Sequence, residues 1–470
     1  MSIYFVRDIK PYERNSNMRP VLDRQSYLNF AGDTSLKIVR EYREKYAHID
    51  RVLDVNPDIL WLVHEDLERL STSTAGREAR YTTENLFRAL VVHQVERTAL
   101  RETVVRIAES STLQHFVRLG NRPVMDYSFL DRALKAITPE TWQAVNAELA
   151  TYAAGAGGMD VSEVRVDSTV VEANIHYPTD SSLLWDSYRV LSRLLRAVRD
   201  ERPGLCPHRF HDKKAKTDLV YLARYLRSRS AIRQRSVKRH YRRLIEHVRR
   251  LQTIAGPLCK TLRESGDLTL TGLANELSHY LPLTRTVCST AERAALKGET
   301  VPARDRIFSI FEEHTELIKR GKSSKPVEFG HAVWLSQNRA KFITDYEVLE
   351  RTIPDTDLLE PIMNRHEGLF GSYPNAVAGD TGFRSGTDEM NRIEANIETV
   401  AVPGRGRDRR SIDKHWHHFR AGIEGSISAL KRGFRISVCM YRSFKTFAAA
   451  VGMAVFCHNL IKLKPEPASP

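Results

Sequence analysis

Residues 182–320 constrain this chain more than any other stretch: they are helical in pattern, arginine-rich and almost free of strand signals. Strand-like segments stand on both sides of them. Before them, VSEVRVDSTVVEANI (161–175) is β-branched and alternating, which predicts a strand pair or a strand and turn. After them come KPVEFGHAVWLS, KFITDYEVL, NAVAGDTGFRS and IETVAVPG, each a short strand signal. A sheet made from these strands has to close around a long helical insertion. Within that insertion, 224–250 holds eleven Lys/Arg and one acid, Glu246. Val237, Tyr241, Leu244, Val248 and Leu251 step by 4, 3, 4 and 3, a heptad-like seam. The pattern predicts a long basic helix packed through that seam. Its charged side either follows a nucleic-acid backbone or is simply solvated.

The N-terminal part is helical as well. Thr82-Thr83-Glu84 carries capping residues ahead of LFRALVVHQV, Asp126-Tyr127-Ser128 restarts a helix, and Thr138-Pro139-Glu140 caps another. Short helices joined by Gly120, Asn121 and Pro123 suit a helix-turn-helix-like DNA-binding module; a plain helical bundle is the alternative. Residues 1–17 show no periodicity, so Met18 is a candidate natural start.

Composition narrows the partner. Of 470 residues, 72 are Lys/Arg and 58 Asp/Glu, a net charge of +14 that favours a polyanion. At 41% hydrophobic and 28% charged residues, a core can form. The five cysteines are scattered, with no CxxC pair, which fits buried thiols in a reducing compartment. Cys206, His208 and His211 complete no four-ligand site. The apolar run Phe447–Phe456 is short for a bilayer, and the reading is a cytoplasmic protein without membrane partners.

The most specific local signal is HHFRAGIEGSISALK (417–431). At about 100° per residue, His417, Arg420, Glu424 and Lys431 share one helix face. Ile423, Ile427, Leu430 and Phe434 form an adjacent apolar stripe. An acid flanked by two bases suits a metal ion held against a phosphodiester. Two further acids sit in strand contexts: Asp167 within VRVDSTVV, and Asp380 just before Gly382. Three carboxylates on strand, strand and helix suit two Mg²⁺ or Mn²⁺ ions. Asp388, Glu394 and Glu398 are competing acids nearby. Arg405, Arg407, Arg409 and Arg410 precede the helix, where a DNA backbone would pass, and Trp416 either stacks on a base or docks the helix.

VDSTVV, GDTGF and HHFRAGIEGSISALK resemble the three catalytic blocks of bacterial insertion-sequence DDE transposases. The last block is similar to that superfamily's Tyr-x2-Arg-x3-Glu-x6-Lys signature, with His417 in place of the tyrosine. The likeness to ISNCY-type transposases spans about 18–465 and includes SYLNFAGDTSLKIVREYREKY and the basic insertion. It implies an α+β chain of three parts. An N-terminal helical DNA-binding domain would take 18–155. An RNase H-like catalytic domain, a mixed sheet flanked by helices, would take 156–181 plus 321–465. A helical insertion, 182–320, would lie between the first and second catalytic acids. It further implies catalytic, metal-binding Asp167, Asp380 and Glu424, DNA contacts from Arg420 and Lys431, and Mg²⁺-dependent cleavage and joining of terminal inverted repeats to target DNA. A homodimer on DNA in the bacterial nucleoid, and no small-molecule substrate, complete the expectation. A catalytically dead, sequence-specific DNA-binding derivative is the alternative, and a nuclease without strand transfer a third reading.

Overall fold

The computed structural model describes residues 20–22, 34–70, 79–319, 326–404 and 412–463. The 1–17 segment, Met18 and the arginine loop at 405–410 lie outside them. The chain runs through α1 (Lys37–Val55), α2 (Asp58–Glu68), α3 (Thr83–Glu96), α4 (Leu100–Glu109), α5 (Ser111–Phe116), α6 (Tyr127–Ala136), α7 (Pro139–Ala154) and β1 (Glu163–Ala173). It continues with α8 (Asp180–Glu201), α9 (Asp212–Tyr225), α10 (Ala231–Glu264), α11 (Leu268–Ala291), β2 (Glu316–Lys319) and β3 (Val327–Asn338). It ends with β4 (Ile343–Val348), α12 (Leu359–Phe370), β5 (Ala376–Ala378), α13 (Thr387–Asn396), β6 (Thr399–Ala401), α14 (Lys414–Ser428), β7 (Val438–Cys439) and α15 (Phe444–Lys462). The class is α+β with a mixed sheet.

Two compact units result. The first takes 1–171, 332–349 and 353–470; the second takes 172–331 and 350–352. The first unit therefore joins the N-terminal helices to most of the sheet, regions the sequence reading assigned to separate domains. The reason is a shared core: Phe87 of α3, Trp142 of α7 and Phe456 of α15 pack ring to ring, and Tyr346 of β4 belongs to the same cluster.

Helix starts follow the capping chemistry in the sequence. Thr82 accepts from Asn85 N at 3.1 Å while the Asn85 side chain returns a bond to Thr82 N at 3.0 Å. Asp126 accepts from Ser128 N, and Thr138 precedes Pro139 at the first turn of α7. α15 is long and apolar enough to cross a membrane by length and composition, but 72% of that window is buried inside the protein. It lies against α7 and α3 as a core helix.

In the first unit's sheet, β3, β1, β5 and β6 are successive neighbours, β4 pairs with β3, and β7 pairs with β1. β4 runs antiparallel to β3, whereas β1, β5 and β6 run parallel. A central strand has both faces covered, so its sequence need not alternate. β1 behaves this way: Val164–Val166 and Thr169–Val171 are buried, and between these two runs the burial breaks at Asp167 and Ser168. β1 is one unbroken strand of 11 residues rather than a strand pair.

The second unit is a helical cluster of α8–α11 with a short strand pairing. β2 runs antiparallel to the 327–330 end of β3, a strand inside the region expected to be almost strand-free. The heptad-like seam is its core: Val237, Tyr241, Leu244, Val248 and Leu251 are all buried. The five cysteines are free and buried.

Candidate active site

β1 and β5 pair as Glu163↔Ala376, Val164↔Val377 and Arg165↔Ala378, an offset of 213 residues. Asp167 and Asp380 are separated by the same 213 positions, so continuing the register sets them level on neighbouring strands. The ladder ends at Arg165, and Gly379 N turns to Ala401 O at 3.3 Å. The strands are still adjacent there: a Cβ on Gly379 would lie 3.2 Å from Val166 Cγ2. Asp380 opens a 3₁₀ turn, Thr381–Phe383, accepting from Gly382 N at 2.7 Å. Asp167 Oδ1 accepts from Ser168 N at 2.8 Å. Both carboxylates are partly exposed beside the end of β5, the end of a parallel strand at which open α/β sheets hold their ligands.

A further acid that sequence reasoning missed lies beside the Gly382 turn. Asp355 opens another 3₁₀ turn, and its Oδ2 accepts from Ser168 Oγ at 3.2 Å. The point a Cβ would occupy at Gly382 is 2.8 Å from Asp380 Oδ1 and 3.3 Å from Asp355 Oδ2. Glycine at 382 is what lets these two side chains approach each other. In the sequence Asp355 reads as an ordinary loop residue after a proline, with no signal to separate it from Asp357.

The helix α14 docks on this part of the sheet through Phe419, Ile423 and Ser426, all buried. Asp413 caps it, accepting from His415 N at 3.2 Å. Ile423, Leu430 and Phe434 are buried and Ile427 packs on the same core, so the apolar stripe docks the segment. His417 and Glu424 are exposed and Arg420 half-buried, on the flank of the docked face. α14 ends at Ser428, and Ala429–Gly433 form a π turn. The smaller rotation per residue of that wider turn moves Lys431 off the helical line expected for it. Trp416 packs edge-on to Phe419 at 5.6 Å, against Ala378 and Ala401, which is a docking role.

Arg165 holds the helix to the strand. It is 4% exposed and shares a strand face with Asp167 two residues on. Its Nη1 donates to Phe419 O at 2.7 Å and its Nε to Gln337 Oε1 at 2.8 Å. Its guanidinium lies 5.0 Å from the Phe419 ring centroid. Its Nη2 is buried with no hydrogen-bond partner. Burial first, and the Arg339 charge second, push Arg165 down to about 10. The guanidinium fills the space beside Gly422, where any Cβ would overlap Nη1. A charged residue inside the strand-like run VRVDSTVV was the legible sign that Arg165 has a special task.

No family model, curated protein or solved structure matches this chain. The site is therefore read on its own chemistry. Asp167, Asp380 and Asp355 are hard oxygen donors of the kind Mg²⁺ and Mn²⁺ take, with Asp167 on β1 and Asp380 two residues past the end of its neighbour β5. Glu424 is exposed on α14. Among the described residues, no three His, Cys, Asp or Glu side chains converge as a metal-holding group. The donor chemistry of these carboxylates fits divalent cations. Arg405, Arg407, Arg409 and Arg410 lie outside the described residues.

Proposed function

We propose that this chain is a DDE-type DNA transposase with an RNase H-like catalytic domain interrupted by a helical insertion. It would cut the terminal inverted repeats of an insertion sequence and join them to target DNA. The observation that carries the reading is the register match: the 213-residue gap between Asp167 and Asp380 equals the offset of the β1–β5 pairing. The first acid lies on β1 and the second just past the end of the strand β1 pairs with. The arrangement around them supports the same reading, with the first acid on the central strand, the second just past its parallel neighbour, and the third on the helix after the outer strand.

Asp167, Asp380 and Glu424 would hold two divalent cations, Mg²⁺ or Mn²⁺. The bound cations supply Lewis-acid activation of the attacking oxygen and neutralise charge at the scissile phosphodiester. In the first step a water oxygen attacks phosphorus at the transposon end, and the bond to the 3′ oxygen breaks, leaving a 3′-OH. In the second step that hydroxyl attacks a target phosphodiester, and one P–O bond forms as one breaks. No external energy source and no covalent enzyme intermediate are required. Arg420, Lys431 and His417 would carry phosphate contacts beside the acid, and Arg165 would keep α14 seated against β1. Two ends cut together call for two copies of the chain on DNA.

The lack of a three-acid group among the described residues favours a second reading, a DNA-binding derivative with no chemistry. Pre-cut repeat ends incubated with a target plasmid and Mg²⁺ separate the readings. A transposase gives covalently joined products. Specific binding without products indicates the inactive derivative, and cleavage of uncut ends without joining indicates a nuclease.

A further inference from the structure

The second unit carries an outward row of arginines on α10. From Arg235, a step of 100° per residue puts Arg239, Arg242 and Arg250 within about 60° of one line along the helix. All four are exposed. The buried seam Val237, Tyr241, Leu244, Val248 and Leu251 lies on the opposite side, so the row points away from the unit's own core. From Arg235 to Arg250 the row is about 22 Å long, at 1.5 Å per residue.

Several other bases of this helix already have partners within the protein. The fully buried Asp218 of α9 lies 2.6 Å from His240 Nδ1, 3.5 Å from Arg243 Nη1 and 3.7 Å from His247 Nε2. Arg249 pairs with Glu292. Arg233 lies 4.9 Å over the Tyr225 ring. Arg235, Arg239, Arg242 and Arg250 have no ion-pair partner among the described residues, and Glu246 is the one acid within the row. Like charges three and four positions apart destabilise a helix. A row of exposed arginines without ion pairs, interrupted by Glu246 alone, is complementary to a line of negative charge.

We propose that the α10 row is a docking surface for the phosphate backbone of duplex DNA, read without regard to sequence. The choice of DNA as occupant rests on the transposase reading; the choice of a linear polyanion rests on the row itself. About 22 Å of arginines covers roughly two-thirds of a turn of a duplex whose repeat is about 34 Å. Such a surface holds DNA flanking the cut ends or the target, where base sequence is not fixed.

The test uses the full chain and a 40-base-pair duplex of arbitrary sequence, with binding read by fluorescence anisotropy between 50 and 200 mM KCl. Replacing Arg235, Arg239 and Arg242 together by Gln removes about three phosphate contacts. The slope of log affinity against log salt then flattens by about 2.7. Across that salt range the parent chain loses about 40-fold more affinity than the variant. The matching triple Arg→Lys variant keeps the parental slope, because Lys neutralises a phosphate as a point charge. An unchanged slope in the Gln variant overturns the proposal, as does a flattened slope seen with duplex RNA but not with duplex DNA. The joining assay is read separately. A chain that joins ends while the Gln variant keeps its slope loses only this inference. A chain that binds through the row but joins nothing loses only the transposase reading.

Discussion

Asp167→Asn lowers Mg²⁺-dependent nicking of the terminal repeat by on the order of 10³-fold, the scale at which one transition-state charge stabiliser acts. The substitution keeps shape and keeps an oxygen to accept from Ser168 N, a bond of 2.8 Å in the parent. The strand therefore persists while the charge proposed to hold a cation is lost. Single-turnover cleavage of an end-labelled repeat reads the rate, and anisotropy reads affinity for the same DNA, which should stay within about twofold if phosphate contacts carry binding. Glu424→Gln is expected to behave the same way. The exposed acids Asp388, Glu394 and Glu398 provide the contrast, since neutralising them should leave the rate nearly unchanged. Full activity in Asp167→Asn removes that residue from the site.

The second large effect is on stability in acid. His93, His366 and His458 are buried in the first unit, and burial pushes each down to about 4. Arg435 adds to the shift at His93, while at His458 the bond to Lys341 O opposes it. The unfolded chain takes up these protons near 6.5, whereas the folded chain takes them up only near 4. More protons are then bound unfolded than folded within that window, so stability is whole above it and falls as pH drops from 6.5 towards 4. At about 1.4 kcal/mol per unit, each histidine contributes a loss of about 3 kcal/mol. Urea unfolding of the full chain at pH 7, 6 and 5 measures the loss. In His458→Gln the amide can still donate to Lys341 O, which the ring meets at 3.1 Å. That variant should show a pH dependence shallower by one proton, and an unchanged dependence would exonerate His458.

Much of the fold was legible because local chemistry fixes it. Caps at Thr82, Asp126, Thr138 and Asp413 begin helices where the sequence signals them. The strands β3 to β6 fall on the apolar runs that predict them. The merging of the N-terminal helices with the sheet was not legible, because it depends on Phe87, Trp142 and Phe456 meeting from three distant helices. The site was legible in part. Asp167 and Asp380 were named from their strand contexts, but their level placement is a property of pairing register, which a sequence does not print. Asp355 escaped notice because its role arises only when Gly382 brings two turns together. The run from His417 to Lys431 is not one α-helix throughout, because α14 ends at Ser428 and Ala429–Gly433 form a π turn. Spacing arithmetic assumes an unbroken α-helix and cannot foresee that change.

The central claim is that Asp167, Asp380 and Glu424 serve one divalent-cation site on a DNA-cutting surface. Electron paramagnetic resonance of Mn²⁺ titrated into the full chain with a repeat-end duplex tests it most directly. The account predicts two bound ions per chain for the parent and fewer in each of Asp167→Asn, Asp380→Asn and Glu424→Gln, while Asp388→Asn binds as the parent does. Equal Mn²⁺ binding by the parent and all three site variants would contradict it.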